Sequence, residues 1–230
     1  MKSLSLRLET IASLVPNGAR VCDIGTDHGY LSIYLKNNNI AKSVIATDLN
    51  QKPLLSAQKN INESGVLGIE LRLGGGLSPI NPNEVDTVII AGMGGEVISN
   101  ILNDCDWIKD SNLTLILQPT TSADTLRRFL CGNGFEINSE TPVSENRKLY
   151  SVMVAKFTGN IKTYPEHFYY IGMLNLKSES GLLYIQKQQK ILFKCINSLE
   201  KIPSKQEEYK KYKTAYLGIT DILTENNNGV

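Results

Sequence analysis

Residues 21–31, VCDIGTDHGYL, decide the fold of this chain, because an apolar strand leads into an acidic, glycine-containing turn and then into a helix. Asp23 stands at the end of the predicted strand, where its carboxylate can accept hydrogen bonds. Gly25 and Gly29 allow the backbone to approach a ligand closely, and the next helix begins with unpaired amide groups near that ligand. The stretch therefore predicts a turn that binds a cofactor.

A second acidic strand end lies in SVIATDLN, residues 43–50, where apolar residues lead to Asp48. The ribose hydroxyls of a nucleotide-like cofactor need such an acceptor. By contrast, DIGTDHG lacks the GxGxxG order of a dinucleotide-binding turn, since its acid precedes the first glycine. The two carboxylates therefore favour a cofactor with a ribose and argue against a nicotinamide-dependent dehydrogenase.

From residue 19 to residue 157, short apolar runs alternate with helical patterns, which predicts a parallel sheet covered by helices. The predicted strands are 19–25, 43–49, 69–75, 85–93 and 113–119, and the predicted helices are 30–36, 52–64, 95–102 and 122–133. Residues 136–157 contain two more extended runs with no helix between them, which predicts an antiparallel hairpin. The sequence thus indicates an α/β, Rossmann-like fold with the mostly parallel sheet and antiparallel closing hairpin of class I methyltransferases. A nicotinamide-binding domain would normally continue with a sixth parallel strand.

Ligands of open parallel sheets bind at the carboxyl ends of the strands, where strand order reverses. Besides the two carboxylates, this edge would receive residues 74–76 from the third strand, residues 91–95 from the fourth, and Gln118 and Pro119 from the fifth. The fourth turn, AGMGG, has glycines on both sides of Met93, so we expect its backbone amide and carbonyl groups to be free to bind a flat ring. A tight strand-to-helix turn is the simpler explanation of the same glycines.

The character of the sequence changes after residue 159, where strand patterns stop and apolar residues recur every three or four positions. One predicted helix has its apolar residues within 171–202, and a second keeps heptad spacing within 209–223. Two helices joined by a short turn fold back as an antiparallel pair. We therefore predict a methyltransferase domain at residues 1–159 and a helical hairpin, or coiled-coil extension, at residues 160–230.

The extension is also the basic part of the chain. Residues 160–230 contain 10 Lys and Arg against 7 Asp and Glu, whereas residues 1–159 contain 14 against 16. Lysines there are suited to binding phosphates and tyrosines to stacking on bases, while the alternative is that the hairpin only packs on itself and on the main domain. Further phosphate candidates are Lys2, Arg7, Arg127 and Arg128, although surface charges are more often simply solvated.

Composition excludes several other classes of protein. No run approaches 18 apolar residues and the N-terminal stretch is amphipathic, so neither a membrane span nor a signal peptide is predicted. We expect a cytoplasmic protein that is a monomer or a weak dimer. The 4 cysteines lie far apart without a CxxC pair, and 2 histidines are too few for a zinc cluster, which predicts free thiols and no bound metal.

Four segments resemble a known family: RLETIASLVPNGARVCDIGTDHGYL, VDTVIIAGMGG, LILQPTTSADTLRRFLCGNGF and KLYSVMVAKF. They are similar to the bacterial tRNA adenine-N1 methyltransferases that act on adenine 22 in the D-arm region. The resemblance spans most of the chain. It implies a class I, S-adenosylmethionine-dependent methyltransferase with a C-terminal coiled-coil extension, and tRNA as the partner.

The resemblance and the strand-end geometry together give the candidate site residues. Those predicted to bind the cofactor are Asp23, Gly25, Asp48, Leu49, Gly74, Gly75, Gly76, Ala91 and Gly92, and those predicted to bind the substrate are Met93, Gly94, Gly95, Gln118, Pro119 and Arg7. Gly75 departs from the relatives, which tend to have a polar residue in this turn. A side-chain contact to the adenine of the cofactor is therefore expected to be missing there.

Methylation at N1 of adenine makes modest demands on the protein. The N1 lone pair lies in the ring plane and is already nucleophilic, so alignment with the sulfonium matters more than a strong base. The methylated base is cationic until its exocyclic amine loses a proton, so a nearby carboxylate would stabilise the product side. Asp27 is the catalytic candidate, with His28 as its partner. The alternatives are that Asp27 caps the next helix and that His28 is an ordinary loop histidine.

Two further classes of function stay open. A small-molecule methyltransferase would share the cofactor half but would need a closed apolar substrate pocket, and the open GMGG edge with a basic extension argues against it. A noncatalytic RNA-binding protein would keep the fold with a defective cofactor site. Intact Asp23, Gly25 and Asp48 argue against that second class.

Overall fold

The computed structural model describes residues 4–174 and 176–227, which form one seven-stranded sheet covered by helices. Lys2, a phosphate candidate, lies outside the described residues. The strands are β1 (Ala19–Ile24), β2 (Ala41–Asp48), β3 (Ile69–Leu73), β4 (Thr87–Met93), β5 (Thr114–Pro119), β6 (Phe135–Glu145) and β7 (Lys148–Phe157). The helices are α1 (Leu6–Ser13), α2 (Tyr30–Asn37), α3 (Gln51–Ser64), α4 (Gly95–Asn103), α5 (Ala123–Gly132), α6 (Glu166–Ile171), α7 (Glu179–Leu199) and α8 (Gln206–Asn227).

The strands follow the order β3-β2-β1-β4-β5-β7-β6. All pairs from β3 through β5 are parallel, and β7 is antiparallel to both β5 and β6. The predicted fold, with its parallel strands and antiparallel closing hairpin, is therefore confirmed. Because β1 lies between β2 and β4, strand order reverses at the carboxyl end of β1, which is where a ligand of such a sheet binds.

The two faces of the sheet bury alternate residues of the same strands, as period-two side-chain direction requires. Ile90 of β4 belongs to the core under α4 and α5, whereas Ile89 belongs to the core under α1 and α2. Both side chains are fully buried. Continuous apolar runs thus form β1, β4 and β5 because these central strands are covered on both faces.

The C-terminal helices differ from the prediction in one respect. The apolar pattern within residues 171–202 predicted a single helix, but α6 ends at Ile171 and α7 begins at Glu179. Gly172 interrupts them with a positive φ of 61°, and a Cβ at this position would collide with the carboxylate of Glu140. The predicted antiparallel pair is formed by α7 and α8, where Gln189 donates to Thr220 at 2.9 Å.

A buried ion pair attaches these helices to the sheet. Arg127 of α5 and Glu140 of β6 have fully buried side chains and lie 2.8 Å apart. Arg127 also donates to the backbone carbonyls of Tyr169 (2.8 Å) and Tyr170 (3.1 Å) in α6. Ser151 of β7 donates to Glu140 at 2.6 Å. The prediction that Arg127 contacts phosphate is therefore wrong, because its guanidinium is used inside the protein.

Arg128 is likewise engaged by the protein. Its guanidinium lies 2.6 Å from Glu166 and 4.1 Å from the ring centroid of Tyr169.

All 4 cysteines fall in the described part of the chain and are free, as predicted, with three of them buried. None of the described helices is long and apolar enough to cross a membrane.

Candidate active site

A cavity of about 260 Å³ opens at the carboxyl ends of β1 and β4, where strand order reverses. Of the predicted site residues, its lining contains Arg7, Asp23, Gly25, Asp27, His28, Ala91 and Gly92. Leu8, Thr26, Tyr30 and Leu31 also line it and were not predicted. The cavity therefore brings the DIGTDHG turn, the end of β4 and the N-terminal helix together at one place.

Asp23 lies at the floor of this cavity and is almost fully buried. Thr26 and Ser32 both donate hydrogen bonds to its Oδ2, at 2.8 and 2.9 Å. Burial raises the pKa of Asp23, and the two hydroxyl donors partly oppose that rise. Since both bonds go to Oδ2, the carboxylate is held in one orientation while Oδ1 is not used by them. Thr26 stands three residues after Asp23, a spacing that could have identified it from sequence.

Gly25 has a structural reason to be glycine. Its φ is +75°, and a Cβ there would collide with the terminal methyl group of Met93. The amides of Gly25 and Thr26 both donate to the carbonyl oxygen of Thr47, at 2.8 and 2.9 Å. The turn after β1 is thereby attached to the end of β2, which fixes its backbone at the edge of the cavity.

Asp27 and His28 form an exposed pair at the mouth of the cavity. Asp27 Oδ2 and His28 Nε2 lie 3.6 Å apart, and 71% and 47% of their side-chain surfaces are exposed. The His28 ring stacks on Tyr30 with centroids 5.4 Å apart. The N-cap of α2 is Gly29, and among the described residues no side chain caps this helix. The alternative that Asp27 is a helix cap is therefore wrong.

The predicted ribose acceptor lies beside this cavity rather than in its lining. Asp48 Oδ1 accepts a hydrogen bond from the amide of Asn50 at 2.8 Å, and its carbonyl accepts one from Gly74 at 3.0 Å. Leu49 is 70% exposed, and its Cδ1 is 3.3 Å from where a Cβ of Gly75 would be. These residues form an open, partly apolar shelf next to the turn after β1.

Gly74 and Gly76 are small because other side chains occupy the space beside them. A Cβ on Gly74 would meet Pro79 at 3.0 Å, and a Cβ on Gly76, whose φ is +54°, would meet Ile101 at 3.1 Å. The turn after β3 is therefore closely packed at Gly74 and Gly76, while Gly75 lies next to the exposed side chain of Leu49. The structure thus brings Leu49 and Gly75, two of the residues predicted to bind the cofactor, next to each other.

More backbone groups of the AGMGG turn are hydrogen-bonded within the protein than its sequence indicated. Met93 O accepts from the amide (2.7 Å) and hydroxyl (3.1 Å) of Thr120, and the Gly95 amide donates to Thr121 O at 2.8 Å. Gly95 is buried, and a Cβ on it would collide with the carbonyl of Ser122. The expectation of free backbone groups is therefore wrong for Met93 O and the Gly95 amide, because the loop after β5 already binds them.

At the near end of this turn, Gly92 is exposed and Gly94 is half-buried. The Gly92 amide is also taken, since it donates to Oε1 of Gln118 at 3.1 Å. Gly92 has a φ of +81°, and a Cβ on it would lie 3.7 Å from Nη1 of Arg7. The exposed backbone at Gly92, beside the Arg7 guanidinium, is thus the accessible part of the turn.

Gln118 is fully buried and serves as a bridge. Its Oε1 accepts from Arg7 Nη1 at 2.7 Å as well as from Gly92, and its Nε2 donates to the carbonyl of Pro119 at 2.8 Å. The backbone amide of Arg7 donates to Glu145 at 3.0 Å. Burial opposes the ionisation of Glu145, but the hydrogen bonds and charge of Arg7 lower the pKa of Glu145 overall. Gln118 therefore positions Arg7 and Gly92 from beneath, and Pro119 is buried beside it.

The chemistry of the site rests on oxygen acceptors and backbone groups. Within residues 4–174 and 176–227, no group of three or more His, Cys, Asp or Glu side chains is arranged to hold a metal ion. A buried carboxylate, an exposed carboxylate–histidine pair and one arginine surround the cavity. Such a site can bind polar groups of a cofactor on its floor and a base at its mouth.

Comparisons with known proteins agree with this arrangement. A family model described as a methyltransferase domain matches residues 4–153. Over 188 residues the chain is 36% identical to the tRNA (adenine(22)-N(1))-methyltransferase of Bacillus subtilis (strain 168), covering 80% of this chain and 79% of that protein.

Two solved structures extend the similarity to almost the whole chain. The crystal structure of the B. subtilis m1A22 tRNA methyltransferase TrmK has a TM-score of 0.83 and 29% identity, covering 96% of this chain and 98% of that one. M. capricolum TrmK, solved in complex with the natural cofactor product S-adenosyl-homocysteine, has a TM-score of 0.78 and 28% identity, covering 97% and 99%. The chain therefore belongs to the tRNA (adenine-22-N1)-methyltransferase family, whose cofactor is S-adenosylmethionine.

Proposed function

We propose that this protein transfers a methyl group from S-adenosylmethionine to N1 of adenine 22 in tRNA. The supporting observation is the cavity at the strand-order reversal, which has a buried carboxylate on its floor and an exposed carboxylate at its mouth, in a chain of this family. S-adenosylmethionine supplies, when bound, a methyl group on a positively charged sulfur. Because the proposed substrate is tRNA, the cytoplasm stays the predicted compartment.

The residues around the cavity fit such a cofactor. Asp23, held by Thr26 and Ser32, would accept hydrogen bonds from its polar groups, and Gly25 allows the backbone to approach it closely. On the shelf beside the cavity, Asp48 would accept from the ribose hydroxyls and exposed Leu49 would cover the adenine. The remaining cofactor contacts are assigned to Gly74, Gly75, Gly76, Ala91 and Gly92.

The substrate half of the site would be formed by Arg7 and the turn after β4. The target adenine must leave its stack or base pair before its N1 edge is accessible. We assign its contacts to Gly92, Met93 and Gly94, with Gly95, Gln118 and Pro119 supporting that backbone from behind. Arg7 is held between Gln118 and Glu145 and would bind a polar group of the nucleotide at the cavity.

Asp27 is the proposed catalytic residue because it is the exposed carboxylate at the mouth. Its Oδ atoms would accept a hydrogen bond from the exocyclic amine of the adenine, whose acidity rises once N1 is methylated. His28, 3.6 Å from Asp27, would then pass the proton to water. Alignment supplies most of the rate, since N1 needs no base to become nucleophilic.

The division of labour follows the two parts of the chain. We assign catalysis to residues 1–159 and tRNA binding to residues 160–230. Lys187, Lys190 and Lys194 are exposed at helical spacing on α7, which favours contacts with a phosphate backbone. Lys205, just before α8, and Lys210 on α8 lie within salt-bridge distance of glutamates, at 2.5 and 3.7 Å, so they are weaker candidates. A monomer or weak dimer stays the prediction.

Incubation of unmodified tRNA with radiolabelled S-adenosylmethionine tests this function. Nucleoside digestion should show label in 1-methyladenosine, and mapping should place it at position 22. The matched control is the same tRNA with guanosine at that position, which should stay unlabelled. Labelling of free adenosine without labelling of tRNA would instead indicate a small-molecule methyltransferase.

A further inference from the structure

We infer that a second cavity, between the loop after β5 and the C-terminal helices, binds the base of the nucleotide directly next to the target adenosine. This inference rests on the proposed function. We call this space the junction cavity; its volume is about 350 Å³. The sheet side contributes residues 119–124 and 149–151, and the helices contribute Tyr184, Lys187 and Tyr212 among others.

The junction cavity adjoins the turn after β4, and Ala91 and Gly92 of that turn line the active-site cavity. Pro119 at the end of β5 pairs in register with Met93 at the end of β4. Thr120, which lines the junction cavity, donates both its amide and its hydroxyl to Met93 O. Neighbouring strands are about 4.8 Å apart, so the end of β4, which borders the active-site cavity, and the end of β5, which borders the junction cavity, lie side by side. An RNA strand whose target base enters one cavity has its neighbouring base beside the other.

The lining suits a nucleobase with its phosphate. Tyr150, Tyr170 and Tyr212 present aromatic rings, and base stacking on such rings is a common mode of single-strand recognition. Tyr170 and Tyr212 are already placed edge to face, with centroids 6.3 Å apart. Lys187 is exposed at the rim and offers a cation for phosphate. Aromatic rings, amide and hydroxyl groups and one lysine together match a nucleotide better than a purely apolar ligand.

Polar groups that can reach a base edge are also present. Gln188 and Asp124 line the cavity from opposite sides, one on α7 and one in α5. Burial raises the pKa of Tyr170 to about 12, and the negative charge of Asp124 adds to that rise. The Tyr170 hydroxyl, protonated at neutral pH as in any ordinary tyrosine, can donate to a base edge. The cavity thus combines stacking surfaces with both donors and acceptors.

The location also gives the extension a specific role. Because one wall belongs to the methyltransferase sheet and the other to α7 and α8, the junction cavity exists only when both parts are in place. A bound neighbouring base would then fix the RNA strand relative to the active site. The extension would contribute to the choice of target base as well as to general affinity.

The test measures tRNA affinity and asks whether removal of the neighbouring base and truncation of a side chain in the junction cavity have dependent effects. Substrates are intact tRNA and two tRNAs with an abasic nucleotide, one directly 5′ and one directly 3′ of the target. Variants are Tyr150→Ala and Lys187→Ala. Tyr34→Ala on α2 and Lys42→Ala on β2, both outside the cavity and outside residues 160–230, serve as matched controls. Tyr150→Phe, which keeps the ring, and thermal melting of each variant separate lost stacking from lost folding.

We expect the wild type to lose about tenfold in tRNA affinity when one of the two neighbouring bases is removed, as loss of one stacked base implies. Tyr150→Ala should show that loss with intact tRNA and no further loss with the abasic tRNA, while Tyr150→Phe and the controls should behave as wild type. Lys187→Ala should weaken the binding of all three tRNAs by the same factor and flatten the salt dependence of binding.

Three outcomes would overturn the inference. Equal losses on base removal in wild type and Tyr150→Ala would show that the base binds elsewhere. Free adenosine monophosphate could instead compete with tRNA for binding to the wild type but not to Tyr150→Ala. That result would indicate that the junction cavity binds free nucleotides. If intact tRNA gains no label at position 22, the proposed function fails and this inference fails with it. If labelling is normal but base removal and Tyr150→Ala act independently on tRNA affinity, only the inference fails.

Discussion

Gly25 and Gly95, in two turns at the same edge of the sheet, are glycines for different main reasons. In the turn after β1, Gly25 and Gly29 have φ values of +75° and +71°, and the side chains of Asp27 and His28 between them are exposed. In the turn after β4, Gly95 has an ordinary φ but lies directly against the backbone of Ser122. Positive φ values favour glycine at both positions of the first turn, whereas close packing alone requires it at Gly95; Gly92 in the second turn, with a φ of +81°, resembles the first turn.

The difference shows what glycine patterns can and cannot indicate. Both patterns predicted a backbone that is open to a ligand, but both turns have backbone groups bound inside the protein. The amides of Gly25 and Thr26 donate to Thr47, and groups of the second turn are bound by Gln118, Thr120 and Thr121. Only the first turn also presents exposed polar side chains between its glycines. A substitution in the second turn should therefore act on stability, and one in the first on binding and rate.

Gly95→Ala should have the largest effect. The added Cβ meets a backbone carbonyl that cannot rotate away, so we expect a loss of about 3 kcal/mol or more in the free energy of unfolding. Denaturant unfolding measures it. Gly132→Ala is the control, since no described atom lies within 4 Å of its Cβ position at the end of α5. Equal denaturation midpoints for the two variants would contradict the packing role.

Gly25→Ala should lower the free energy of unfolding less than Gly95→Ala does, but it should weaken cofactor binding much more. The αL conformation of a non-glycine residue costs about 1–2 kcal/mol, and the Met93 methyl group can swing aside. We expect affinity for S-adenosylmethionine, measured by calorimetry, to fall at least about tenfold. Gly18→Ala has the same strain, with φ +77° and no described atom within 4 Å of its Cβ position. It should match the stability loss and keep normal affinity.

Asp23→Asn should separate charge from hydrogen bonding. The amide oxygen can still accept from Thr26 and Ser32, but the negative charge is lost. Because burial raises the pKa of Asp23 in the folded state, its contribution to stability is present at low pH and falls as pH rises through that raised pKa. The stability of the wild type relative to Asp23→Asn should therefore decline from acidic to neutral pH in parallel unfolding curves, while cofactor affinity is weaker in the variant. A difference independent of pH would refute this account.

Asp27→Ala should cost only about 1 kcal/mol in the free energy of unfolding, because the side chain is exposed but aspartate tolerates the φ of +48° at this position better than alanine does. Single-turnover methylation of tRNA should slow by about tenfold, with cofactor affinity within about threefold of wild type, since the carboxylate acts on the base. Asp110→Ala, in a loop outside the cavity lining, is a control for loss of an exposed acid. A wild-type rate would remove Asp27 from the mechanism.

Most of the fold could be predicted because it depends on local pattern. The central strands are continuous apolar runs, and the run of extended residues without a helix at 136–157 could only be a hairpin. The break between α6 and α7 could not be predicted, since it depends on Gly172 fitting against Glu140, a residue of β6 that is distant in sequence. Hydrophobic periodicity predicts which face of a helix or strand is apolar, but it does not predict contacts between residues that are distant in sequence.

The candidate site was predicted to a similar degree. Asp23, Gly25 and Gly92 meet at one cavity because parallel strand ends share an edge. The role of Gln118 depends on Arg7, which lies more than 100 positions earlier in the chain. Likewise, nothing local distinguishes buried Arg127 from its neighbour Arg128. Such contacts exist only after folding, so residue type and spacing alone do not reveal them.

The fully buried Arg127–Glu140 pair has a consequence for how this protein can be divided or recombined. Two backbone carbonyls of α6 complete the shell of that arginine, so a cut near residue 159 would leave a charged group facing solvent or a void. Both charges lie before residue 159, so such a cut keeps the ion pair but removes two acceptors of a buried guanidinium, and an unsatisfied buried donor costs about 1–3 kcal/mol or more. A chimera that takes its helices from a relative must therefore bring α6 carbonyls that reach this arginine.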